Sequence, residues 1–257
     1  MSPAIAFIVV TYHPDNESFG KLLDALPKTK TIIVDNGGTL LSDDLGKVTL
    51  LSQTANIGFG AGANIGIRHA IAHGASWFVV MNQDLSVTAS AIGRLSDMLE
   101  KLEPSVAGPF SGGLDPKRWT TILPSETCDY ISGSCIAIHE KAVTKAGYFF
   151  EPYFMYYEDA DYCIRAKRAG IPLTHLDLEG FGHEETKSLG KGSTAHAYYM
   201  ARNHLLFVSR LAPANVRFRE YLRLLKTIFD HMKRHERGAL LGVRDFLFGR
   251  FGEKRSV

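Results

Sequence analysis

The sequence has no apolar run long enough to cross a bilayer. Its N-terminal run, Ala4 to Val10, is seven residues long and lacks a basic lead-in, and no later run approaches twenty. That pattern is poor as a secretory signal and too short for a spanning helix. Cysteine is also scarce. Cys128, Cys135 and Cys163 are odd in number and form no CxxC pair, which argues against a disulfide framework or a zinc site and points to a reducing compartment. Internal repeats, low-complexity segments and nucleic-acid recognition motifs are missing as well. The expectation is a cytoplasmic protein without a nucleic-acid partner.

What remains is ordinary in bulk and uneven in detail. The 257 residues, 45% hydrophobic and 22% charged, suffice for one sizeable domain with a substantial core. The net charge is only +2, yet from Pro213 onward eleven Lys/Arg stand against five Asp/Glu, a local +6, so the preceding 212 residues carry −4. A basic tail on a slightly acidic body suits an anionic surface.

The apolar pattern predicts an α/β fold. "AIAFIVVTY", "TKTIIVDNGG", "KVTLLSQ" and "SWFVVMNQD" read as strands, the first two as buried on both faces. "SFGKLLDAL", "GAGANIGIRHAIAHGA" and "TASAIGRLSDMLEKL" read as helices between or after them. Such alternation predicts a mostly parallel central sheet with helices on both faces. Residues 104 to 130, rich in Pro, Gly and Ser, read as irregular. "DYISGSCIAIHEKAV" reads as a strand leading into a helix, "YYEDADYCIRAKRAG" as a helix with acids in its first turn, and "AHAYYMARNHLLFVSRL" and most of the tail as helical. The glycine-bearing "GFGHEETKSLGKG" between the last two is expected to act as a lid.

In parallel sheets ligands bind beyond the carboxyl ends of the strands, where this sequence places "TYHP", "VDNGG" and "MNQD". A carboxylate there, Asp84, with Asn82 two residues before, suits a hard divalent cation beside a diphosphate, although an isolated strand-end Asp is more often a turn residue. The glycines of "NIGFGAGANIG" open a helix toward a phosphate or simply pack it on the sheet. Their place after the third strand, not the first, disfavours a nicotinamide-dependent oxidoreductase. "YYEDADYC" crowds Glu158, Asp159 and Asp161 among aromatics. This is either a general-base site or a set of acids decorating a helix N-terminus.

Taken together and in order, "VTYHP", "VDNGG", "NIGFGAGANIGI", "VVMNQD", "ISGSCIAI" and "YYEDADYCIRAKRAG" resemble the inverting family-2 glycosyltransferases of GT-A fold. With "YYMARN" added, the likeness is to bacterial rhamnosyltransferase-type enzymes of polysaccharide assembly, across roughly residues 4 to 210. The resemblance implies a GT-A domain over residues 1–212, followed by a basic amphipathic helical extension over 213–257. It also implies a nucleotide-diphosphate sugar donor (dTDP-L-rhamnose first, a UDP-sugar second), a glycan or lipid-linked acceptor, and Mg2+ or Mn2+. By the same resemblance Asp159 is the general base. Thr11, Tyr12, His13, Asp35, Asn36, Asn56, Gly58, Asn64, Arg68, Asn82 and Gln83 contact the donor, and Arg202 either neutralises its diphosphate or belongs to a solvated helical face. Tyr157 and Glu158 face the acceptor, and Asp84 and His183 hold the metal. The strict DxD element of the family is here Asn82-Gln83-Asp84, one carboxylate short.

The rival from another class is a nucleotide-sugar-binding assembly partner without turnover, which retention of both Asp84 and Asp159 disfavours. For the tail, the alternatives are a peripheral helix on the inner face of a membrane and a helix packed on its own domain or on a partner.

Overall fold

The structure, a computed structural model, describes residues 4–41, 45–183 and 193–254. In chain order the strands are β1 (Ile5–Thr11), β2 (Thr31–Asp35), β3 (Thr49–Ser52), β4 (Trp77–Asn82), β5 (Leu85–Val87), β6 (Val106–Gly108), β7 (Ser111–Leu114), β8 (Thr121–Ile122), β9 (Tyr130–Ile131), β10 (Cys135–His139), β11 (Leu173–His175) and β12 (Phe181–His183). The helices are α1 (Asn16–Ala25), α2 (Phe59–Ala72), α3 (Ala89–Lys101), α4 (Glu140–Ala146), α5 (Glu158–Arg168), α6 (Thr194–Leu211), α7 (Ala214–Lys233) and α8 (Arg237–Leu247).

Seven strands form the central sheet in the order β11-β6-β10-β4-β1-β2-β3. All run parallel except β10, which is antiparallel to both of its neighbours. β1 shows why its sequence is continuously apolar. Ala6, Ile8 and Val10 enter the core beneath α2 and α5, while Ile5, Phe7 and Val9 enter the one beneath α1 and α3. A strand covered on both faces has no solvent side to mark with polar residues. The helix starts are also locally encoded: Asp15 accepts from Ser18 N and Thr88 from Ala91 N, leaving fewer first-turn amides without partners.

Two expectations change. Residues 104 to 130 are not wholly irregular, since they contain β6, a strand of the central sheet, and the small sheet β8-β7-β9. The tail is not a single extension. α8 folds back onto α6, with Gly238 and Gly242 so close to the backbone of Thr194 and Tyr198 that a Cβ at either would collide with a carbonyl. Tyr198 Oη donates to Asp245 at 2.8 Å across the same contact. α7, by contrast, buries only Val216 and Glu220 of its 20 residues. No helix among the described residues is long and apolar enough to cross a membrane.

Candidate active site

The antiparallel course of β10 brings the turn 132–134 to the carboxyl end of β4. Asn82 N donates to Ser134 O at 3.1 Å, and one residue away Gly133 N donates to Asp159 Oδ2 at 2.8 Å. The strand end carrying Asn82-Gln83-Asp84 and the first turn of α5 therefore meet on a single turn. Ser132 and Ser134 brace it through their hydroxyls, 3.0 Å apart. A cavity of about 440 Å³ opens beside Ser134, walled by Phe110, Pro124, Glu126 and His175, a volume typical of a small-molecule site.

Asp159 is partly exposed, with its other oxygen accepting from Ala160 N at 2.7 Å. Burial raises its pKa above the ordinary aspartate value, and the Gly133 and Ala160 amides pull against that rise. Each oxygen keeps acceptor capacity beyond these bonds. The carboxylate is thus fixed in place, more basic than usual and able to take a proton.

The loop that presents it is held in an unusual backbone. Phe154, Tyr156 and Tyr157 have positive φ of 68°, 63° and 73°, each unfavourable for a residue with a Cβ. Asn203 Nδ2 faces the carbonyls of Tyr153, Met155 and Tyr156 at 3.0, 2.6 and 3.0 Å. Arg202 reaches Tyr153 O at 2.7 Å and Gly252 O at 2.6 Å, and Gly252 N in turn donates to Pro152 O at 2.8 Å. Arg202, expected at the diphosphate, has no exposed surface. Its guanidinium is occupied by carbonyls, so with Asn203 it clamps the loop that carries Asp159.

The three crowded acids separate into three environments. Asp161 is fully buried among Arg165 Nε at 2.6 Å, Arg210 Nε at 3.1 Å and Tyr153 Oη at 3.1 Å. Glu158 is 6% exposed and packs against Gly60, the nearest side chain to where a Cβ there would stand after Phe149. Its Oε2 is buried without a hydrogen-bond partner among the described residues. Burial first, and the neighbouring Asp159 second, push its pKa up to about 8, which favours a neutral carboxyl beside Asp159. Glu158 and Tyr157 were expected on the acceptor side. Both are buried, Tyr157 against Phe207 and His204, and neither presents a surface to an acceptor.

The donor-side residues divide in the same way. Asp35 is fully buried and accepts from Gly37 N, Thr39 N, Leu40 N and Thr11 Oγ1 at 2.7 to 3.4 Å. It closes its own turn and offers no free face to a base. Asn36 bonds Gly58 O at 3.1 Å and Asn64 bonds Phe149 N and O, which ties α2 to its surroundings and not to a cleft. Gln83 pairs through its amide with both N and O of Tyr12, at 2.6 and 3.2 Å, and so joins the ends of β1 and β4. Gly58 has φ 88° and lies where a Cβ would strike Phe154 O; Asn56 Oδ1 accepts its amide at 3.0 Å. Of the donor-side set, Tyr12, His13 and Arg68 are exposed and Asn56, Asn82 and Gln83 partly so; Arg68 stacks on Tyr148 and sits 3.6 Å from Glu151.

Asn82 and Asp84 are partly exposed at the end of β4, a hard oxygen donor set that suits a cation arriving with a diphosphate. The β5–β12 ladder pairs His183 with Leu85, which brings position 183 beside Asp84 along the backbone. The side chain of His183, and residues 184–192 of the expected lid, lie outside the described residues. No cluster of three or more His, Cys, Asp or Glu suited to a metal occurs among the described residues.

No protein-family model matches the chain. It is 25% identical to a dTDP-rhamnosyl transferase, RfbF, of Shigella flexneri, over 97% of this chain and 98% of the relative. It is 24% identical to the N-acetylglucosaminyl-diphospho-decaprenol L-rhamnosyltransferase of Mycobacterium tuberculosis, over 81% of this chain and 85% of that protein. Among solved structures, the mannosyltransferase PcManGT from Pyrobaculum calidifontis, in complex with GDP-Man and Mn2+, matches with a TM-score of 0.59 at 16% identity, covering 97% of this chain and 75% of that one. GalNAc-T7 with UDP, GalNAc and Mn2+ matches with a TM-score of 0.61 at 12% identity over 80% of this chain, which spans about half (48%) of that protein.

Proposed function

We propose that this chain, of GT-A glycosyltransferase fold and similar in sequence to rhamnosyltransferase-type glycosyltransferases, is an inverting sugar transferase of glycan assembly. The observation that supports this most is the meeting of the Asp84 strand end and Asp159 on the 132–134 turn. The donor is a nucleotide-diphosphate sugar, dTDP-L-rhamnose in the first instance and a UDP-sugar in the second. The acceptor is a hydroxyl of a glycan or lipid-linked glycan, in keeping with the diphospho-decaprenol-linked sugar on which the Mycobacterium tuberculosis relative acts.

Asp159 takes the proton of the acceptor hydroxyl as its oxygen bonds to the anomeric carbon and the bond from that carbon to the diphosphate breaks on the opposite face. No covalent enzyme intermediate is needed, and a single fixed carboxylate suffices. The Gly133 amide orients that carboxylate, and neutral Glu158 spares it a second adjacent negative charge. Asn82, Asp84 and position 183 are the residues that would hold Mg2+ or Mn2+. When bound, the cation supplies charge neutralisation at the departing diphosphate. Tyr12, His13, Asn56 and Arg68 form the surface available to the nucleotide.

The test separates transfer from binding. Asp159→Asn should abolish sugar transfer while keeping the thermal shift produced by donor plus Mn2+. Asp84→Ala should reduce that shift itself. An Asp159→Asn protein that transfers sugar at the wild-type rate removes the base assignment. A wild-type protein that binds donor but neither transfers nor hydrolyses it makes the chain a binding partner instead.

A further inference from the structure

Helix α7 carries an apolar stripe that nothing among the described residues covers. Phe218, Tyr221, Leu222, Leu225, Phe229 and Met232 are 44 to 80% exposed. At 100° per residue they share an arc of roughly 100°, running about 20 Å along the helix. Val216 and Glu220, the residues that dock the helix, project from the opposite side. The stripe therefore points away from the domain.

Charge decides what it meets. Exposed Arg219, Arg223, Lys226 and Lys233 line one flank, and Arg217 borders the other. The acids of α7 do little to offset them: Glu220 is engaged by Arg118 at 3.1 and 3.2 Å, which leaves only Asp230. Pairing two copies through this stripe would set basic flank against basic flank, without the opposite charges that helix pairs place there. A bilayer surface containing anionic lipid accepts both features: the apolar face enters the acyl boundary and the basic flanks meet phosphate.

We propose that α7 seats this protein on an anionic membrane surface, lying in the interface and not crossing it. Its root is fixed relative to the active site. Arg118, which grips Glu220, adjoins Trp119; Trp119 packs on Phe207, and Phe207 packs on Tyr157, the residue before Glu158 and Asp159. Docking through α7 therefore sets the height of the Asp159 loop above the lipid. The proposal does not depend on the reaction assigned above.

The experiment is co-sedimentation of the full chain with phosphatidylcholine vesicles, with and without phosphatidylglycerol. Binding is expected with the anionic vesicles only and should weaken as salt is raised. Leu225→Glu with Phe229→Glu should lower the bound fraction at least tenfold. Arg223→Gln should lower it about fivefold, the effect of one basic residue near such a surface. Far-UV circular dichroism and the donor thermal shift should stay unchanged in these variants. Absence of pelleting, or equal pelleting with both vesicle types, overturns the proposal. So does a wild-type dimer in light scattering that Leu225→Glu/Phe229→Glu dissociates, which would give the stripe to a second copy.

Discussion

Replacing Asn203 with Asp changes one NH2 group for an oxygen of nearly the same size, in the place where that NH2 faces three carbonyls at 2.6 to 3.0 Å. The two N–H bonds of the amide are lost and a carboxyl oxygen is set against carbonyl oxygens. The bond Arg202 Nε makes to Asn203 Oδ1, 2.9 Å, can survive. Each lost bond is worth about 1 kcal/mol net, and a buried carbonyl left bare costs ~1–3 kcal/mol. The loop cannot absorb this quietly, because Phe154, Tyr156 and Tyr157 each already hold a positive φ, worth ~1–3 kcal/mol of strain. A destabilisation of about 2–4 kcal/mol follows, which for a chain of this size lowers Tm by about 5–15 °C. Relaxation of the loop moves Asp159, and a displacement of ~1 Å costs on the order of 100-fold in rate. Scanning calorimetry and a radiolabelled-sugar transfer assay measure the two effects. The expected signature is a fall in kcat with little change in donor KM, since the NH2 touches only the loop. If the Asn203→Asp variant transfers sugar at the wild-type rate, Asn203 does not position the base.

Glu158→Gln should flatten the pH dependence of stability. The folded protein holds the Glu158 proton up to about 8, against 4.5 for the ordinary glutamate, so the folded state binds more protons in between. Wild-type stability is therefore full below 4.5 and is lost as pH rises toward 8, by at most ~1.4 kcal/mol per pH unit. The amide cannot ionise, so urea titrations should show the variant gaining on wild type as pH rises; parallel profiles would contradict the assignment of the proton. The transfer rate should fall on the acid side as Asp159 protonates, with its midpoint above the ordinary aspartate value because burial raises it; a midpoint at the ordinary value would remove the environmental shift. Gly58→Ala should remove donor affinity and lower Tm together, since the new Cβ meets Phe154 O and the backbone there needs φ 88°. Retained affinity in isothermal titration would separate the glycine loop from the site.

The frame of the sheet was legible because β1, β2 and β4 are apolar runs, and runs of that kind report burial on two faces without help from distant residues. β6 and β7 were not. They are three and four residues long, and β7 is "SGGL", whose glycines admit the Tyr130 ring and the Ser125 and Thr127 side chains into the space a Cβ would fill. Their stability is tertiary, and a local pattern carries no trace of it. The place of Asp159 in the first turn of a helix could be read from its motif, whereas the burial of Glu158 could not, since Glu158 packs against Gly60 nearly a hundred residues earlier. Arg202 misled for a related reason: an arginine on a helix looks available for phosphate until the carbonyls of Pro152, Tyr153 and Gly252 are seen around it. Asn203 had a signal in "YYMARN", but only a map of carbonyls fifty residues upstream gives it meaning.

The reversal of β10 within an otherwise parallel sheet fixes a length. Neighbouring residues of one tight turn hold the end of β4 and the first turn of α5, so the two anchor points lie one Cα step of ~3.8 Å apart. In the proposed reaction, the register of those two chain ends is set as the sheet forms.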